Sequence, residues 1–206
     1  ATSTNASATE LPTRETRRTL NLLIAAQSLG GASPPIIISL GGIVGLALAD
    51  DPTLATLPVS VYSLGLALST IPAALLMRRL GRRAAYLLGA ILGVFSGIMA
   101  AFGIIHESFA VFCAGTALAG FYAACVQNYR FAASDIAAPS QRARAISQIM
   151  VGGLVAAIIG PQVVIWTRDA LPAAPFAGSF FGQAALALLA LPLLAKLHAP
   201  PPKRTV

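Results

Sequence analysis

The sequence predicts an all-α integral membrane protein, a bundle of six transmembrane helices. Two features of composition point there: 56% of the 206 residues are hydrophobic and only 10% are charged, against about 25% charged in an ordinary soluble domain. The third feature is the distribution. Apolar stretches run to about 20 residues, the length that crosses the hydrocarbon core as a helix, and charge falls almost wholly between them. With a mean hydropathy of +0.77, a water-soluble fold would have nowhere to hide this much apolar surface.

Six spans follow in order: Thr19 to Ala49, Leu54 to Met77, Ala84 to Ile105, Phe109 to Ala133, Arg144 to Trp166 and Ala174 to Leu197. The first is too long for one straight crossing. The joints are marked by Asp50-Asp51-Pro52, Arg78 to Arg83, His106-Glu107, Asp135 to Arg142 and Arg168 to Pro172. Residues 1–18, rich in Ser, Thr and Ala, read as a disordered tail rather than a secretory leader, whose apolar stretch would be only about 7–15 residues. Residues 19–197 form the transmembrane domain, and 198–206 a basic, proline-rich tail or linker.

The net charge of +7 does not call for nucleic acid, because the basic residues sit in short joints. Arg14 to Arg18, Arg78 to Arg83, Arg142 with Arg144, and Lys196 to Arg204 fall on one side of an alternating topology, and Arg168 on the other. The positive-inside rule then puts both termini in the cytoplasm of a bacterial-type inner membrane. Cys113 and Cys125 lie in one helix about 18 Å apart along its axis, too far to bond.

Small residues at four-residue spacing mark packing seams: Gly89, Gly93, Gly97 and Ala101 in the third span, Gly115, Ala119 and Ala123 in the fourth, and Gly152, Ala156 and Gly160 in the fifth. The first span holds Gly30-Gly31-Ala32-Ser33-Pro34-Pro35. Two prolines withhold two backbone donors, so carbonyls near Gly30 to Ser33 lose their partners and must face protein or a wet cavity. Broken helices of this kind build transporter sites. Gly160-Pro161 is a second expected helix break.

The fourth span carries an unusually polar run, Tyr122, Cys125, Gln127, Asn128, Tyr129 and Arg130, with Tyr122, Cys125 and Tyr129 on one face. Polar groups at this depth usually face the bundle interior, although Arg130 can also snorkel to the interface. Gln148 and Met150, and later Gln162, are placed to face the same cavity. The expected substrate path is Gln27, Ser33, Tyr122, Cys125, Asn128 and Met150. Cys125 and Met150 are soft ligands that suit a cuprous ion.

The loop Ala74-Leu-Leu-Met-Arg-Arg-Leu-Gly-Arg-Arg83 resembles the signature between the second and third helices of the major facilitator superfamily. Arg79, Gly81, Arg82 and Arg83 match it, while Ala74 replaces its glycine and Arg78 its aspartate. The resemblance covers nearly the whole chain and implies half of a transporter, a 3+3 inverted repeat with a second six-helix half as partner. It also implies a cytoplasmic gating loop of Arg79, Gly81, Arg82 and Arg83, with Asp135 the candidate partner of Arg82 or Arg78. Gly30 to Gly42, Ala55 to Ser60 and Pro161 to Asp169 are similar to a bacterial copper-importer branch of that superfamily that supplies cytochrome oxidase assembly, and a riboflavin-transporting branch competes. The reading is therefore a secondary transporter without resident cofactor, carrying copper, or alternatively riboflavin or another small solute. A non-transporting assembly subunit is the further alternative. A six-helix serine protease using Ser96 would need a histidine base within reach, and His106 and His198 both fall outside the spans.

Overall fold

The computed structural model describes residues 14–197; residues 1–13 of the expected tail and the segment 198–206 lie outside the described residues. All regular structure within that range is helical: α1 (Arg14–Gly30), α2 (Ser33–Leu48), α3 (Leu57–Leu80), α4 (Arg82–Ile105), α5 (Phe109–Gln127), α6 (Tyr129–Ile136), α7 (Arg142–Thr167) and α8 (Ala177–Ala195), with short 3-10 turns at Pro52–Leu54 and Pro139–Gln141. They make six segments long and apolar enough to cross a membrane. The first crossing is α1 with α2, and the fourth is α5 with α6. Arg14 to Arg18, within the stretch expected to be tail, are already helical.

The break in the first crossing falls at Gly31-Ala32, just ahead of the prolines. Pro34 and Pro35 sit in the first turn of α2, where backbone N–H groups have no helical partner in any case. What they remove is the donor for the carbonyls of Gly30 and Gly31, while Ala32 N–H turns back to Leu29 O at 3.3 Å. Pro161 behaves differently. Helix α7 runs unbroken through Gly160 and Pro161, correcting the expectation of a break there. One missing N–H leaves only the Ala157 carbonyl without a donor, which a long packed helix tolerates.

Gly81 alone joins α3 to α4, with φ 84° and ψ 158°, a region essentially closed to residues with a β-carbon. That conformation explains the glycine of the basic loop.

Packing follows a twofold pattern. The first crossing packs on α7 as α3 packs on α5; α8 packs on α1 as α4 packs on α5; and α4 meets α8. Exchanging the first three crossings with the last three maps these contacts onto one another, the α4–α8 contact onto itself, as an inverted repeat requires. Both members of the 1/4 pair are broken. Both members of the 2/5 pair, α3 and α7, contain an inner proline and are the least enclosed, 17% and 22% buried against 44–56% for the others. They carry long rows of exposed apolar side chains, Leu64, Leu68 and Ile71 on α3 and Val151, Leu154 and Ile158 on α7.

The glycine seams set the helix distances. A β-carbon on Gly93 would strike the Tyr122 ring, one on Gly89 would lie 2.7 Å from Cys125 Cβ, and one on Gly152 would lie 2.7 Å from the Ile24 carbonyl of α1. Gly65 and Gly120, outside the periodic stripes, close the α3–α5 seam in the same way. In lipid, where apolar burial gives little drive for association, such close contact is what holds helices together.

Candidate substrate cavity

A cavity of about 400 Å³ opens between α1, the α5–α6 joint and α7, lined by Gln27, Gln127, Arg130, Ile149, Met150, Gly153, Leu154 and Ala157. Its wall is apolar along α7 and polar opposite. Gly153 keeps space beside Gln27: a β-carbon there would stand 3.7 Å from Gln27 Nε2. Arg130 lies with its guanidinium carbon 5.0 Å from the centre of the Phe131 ring. Its Nε is buried without a hydrogen-bond partner, and among the described residues no carboxylate pairs with it. A buried guanidinium nitrogen left without a hydrogen-bond partner is costly. A ligand that brings carbonyl or anionic oxygen would satisfy it.

Of the expected path residues, the cavity brings together Gln27 and Met150. It leaves out Ser33, Tyr122, Cys125 and Asn128. The Tyr122–Cys125–Tyr129 face turns into the protein toward α4: the Tyr122 ring lies against Gly93 with its hydroxyl near Gly30, Cys125 lies against Gly89, and Tyr129 packs edge-on to Tyr86 at 4.7 Å. Gln127 and Arg130, on either side of the Asn128 joint, are the ones that reach the cavity. Cys125 is fully buried in the core whereas Met150 is 59% exposed, and only Met150 borders the cavity. Copper ligation by this pair therefore finds no shared site. Ser33 is buried with its hydroxyl unpartnered.

Asn128 has a local task. Its backbone N–H bonds to Cys125 O, three residues back, and its side-chain Nδ2 donates instead to Ala124 O at 2.8 Å. The carboxamide thus supplies the donor that the broken helix withdraws. This is how the fourth crossing breaks without glycine or proline, and how Gln127 and Arg130 are set at the cavity rim.

At the basic end, Arg82 pairs with Asp135 at the end of α6. Arg79 and Arg83 have no ion pair among the described residues. At the other end, Asp51 accepts the Thr53 N–H at 2.9 Å, which holds its carboxyl below the usual range. Ser96 accepts a hydrogen bond from Gln183 Nε2 at 3.1 Å between α4 and α8, so the serine of the protease reading is part of a buried helix contact.

The comparisons with known proteins agree with this architecture. The profile of the Major Facilitator Superfamily matches residues 14–206. The chain is 62% identical over 184 residues to the riboflavin transporter RfnT of Brucella anthropi, covering 89% of this chain and 46% of that protein. It is 32% identical over 181 residues to the uncharacterized MFS-type transporter YdeG of Bacillus subtilis, covering 84% of this chain and 41% of that protein. The crystal structure of the E. coli fucose:proton symporter FucP superposes with a TM-score of 0.66 at 16% identity, over 91% of this chain and 50% of that one. The chain thus spans less than half the length of the curated relatives it matches. Membership of a transporter family, rather than any missing group, sets the protease reading aside: this multi-pass membrane chain belongs to the Major Facilitator Superfamily.

Proposed function

We propose that the chain is one six-helix half of a secondary transporter for riboflavin or a closely related flavin, with the cavity between α1, α5–α6 and α7 as its share of the substrate path. The observation that carries the reading is the 62% identity with a riboflavin transporter over nearly the whole chain. The cavity's chemistry supports it. An isoalloxazine ring presents carbonyls and an N–H along one edge and a dimethylbenzene at the other. Two carboxamides and a guanidinium opposite an apolar wall of Met150, Leu154 and Ala157 suit such a molecule, which needs a few placed polar groups in a mainly apolar site. The copper reading has no such support, because the two soft ligands stand apart.

In this reading the basic end of the bundle faces the cytoplasm of a bacterial inner membrane. A second six-helix half covers the exposed apolar side chains of α3 and α7 and closes the cavity. The carrier in its natural full length, expressed in a riboflavin auxotroph that lacks its own importer, is expected to take up radiolabelled riboflavin, with excess copper leaving the rate unchanged. Membrane-inserted protein that moves labelled copper and no flavin would overturn the proposal.

A further inference from the structure

The basic loop and the cavity rim are joined by one buried hydroxyl. Arg82, at the start of α4, uses one guanidinium nitrogen on Asp135 and points the other, Nη1, at Tyr86 Oη one helical turn on, at 3.4 Å. Tyr86 donates in turn to the backbone carbonyl of Asn128 at 3.1 Å. That carbonyl belongs to the break between α5 and α6. It also accepts the N–H groups of Phe131 and Ala132, so the first turn of α6 hangs from it. The residues on either side of this break, Gln127 and Arg130, are two of the three polar groups lining the cavity.

Both ends of this chain of contacts differ in setting. The ion pair is partly open to solvent, with the Asp135 side chain 59% exposed, and so can be made or broken by whatever approaches that end of the bundle. Tyr86 is only 1% exposed, and its ring is clamped edge-on against Tyr129. In so apolar a setting a hydroxyl does not switch to water when its partner moves; it follows the partner or stays orphaned.

We propose that Tyr86 is a positioning residue that transmits the state of the Arg82–Asp135 pair to the Asn128 break, and thereby sets where Gln127 and Arg130 stand in the cavity. The inference rests on the cavity being the transport path but not on what the cargo is. Its test therefore needs no substrate. Hydrogen–deuterium exchange of the amides between residues 125 and 132 is measured by mass spectrometry on the full-length protein in nanodiscs, for the parent, Tyr86→Phe, Asp135→Asn and the double variant.

Tyr86→Phe keeps the ring and its packing and removes only the oxygen. It is expected to speed exchange at the joint by about 3- to 10-fold, the scale of one lost hydrogen bond. Asp135→Asn is expected to do the same from outside the break, and the double variant to exchange no faster than either single one. A merely structural tyrosine would give the first effect without the coupling. Exchange at the joint unmoved by Asp135→Asn, or effects that multiply in the double variant, would overturn the proposal. Flavin uptake failing while this coupling holds would instead count against the cargo alone.

Discussion

Gly120→Leu is expected to abolish the folded protein almost completely. A β-carbon at that position would lie 2.5 Å from both the Leu66 backbone nitrogen and the Tyr62 carbonyl, and 2.8 Å from the Gly65 carbonyl carbon. All three are main chain of α3 and cannot rotate away, so the α3–α5 seam must open along its length. Overpacking a well-filled interior by a methylene or two costs about 1–3 kcal/mol. Here a whole side chain meets backbone, and a stability of about 5–15 kcal/mol leaves little reserve. Gly42→Leu is the control, since a β-carbon there meets nothing within 4 Å. The monodisperse peak in detergent size-exclusion chromatography is expected to fall more than about 10-fold for Gly120→Leu and to stay within about 2-fold for Gly42→Leu.

Arg130→Ala is expected to remove most transport without loss of folded protein. Arg130 is the charged member of the cavity lining, its Nε is buried without a partner, and a cargo carbonyl would satisfy it. A hydrogen bond to a charged group is worth about 1.5–3 kcal/mol, so initial uptake at low substrate is expected to fall by about 10- to 150-fold. Arg130→Lys keeps the charge but not the planar fork and is expected to fall between. If Arg130 only snorkels to the interface, both variants will transport at rates close to the parent, normalised to the amount in the membrane.

The crossings were legible in the sequence because the bilayer sets their length and charge is confined to the joints. The third, expected from Ala84 to Ile105, runs Arg82–Ile105. The first break was legible from its glycines and prolines. The fourth was not, since Asn128 breaks the helix through its own side-chain bond to Ala124 O, a device without a compositional mark. The same break hid the cavity lining. With two tyrosines and a cysteine on one face and Gln127 and Arg130 on another, polarity alone pointed to the tyrosine face, which the packing of Tyr122 on Gly93 turns into core. Gly65 and Gly120 carry no mark in the sequence for a similar reason. A lone glycine has no period, and its meaning lies on the neighbouring helix.

The proposed function requires cargo to sit in the space beside Met150. With Cys113 and Cys125 replaced by alanine and Met150→Cys introduced into the full-length carrier, a membrane-permeant maleimide will alkylate residue 150, which is 59% exposed in this half. Saturating riboflavin is expected to slow that reaction by at least about 10-fold, as a ligand at well above its dissociation constant occupies its site more than nine-tenths of the time. Alkylation at an unchanged rate, in a carrier that still imports riboflavin, would place the path elsewhere and contradict the account.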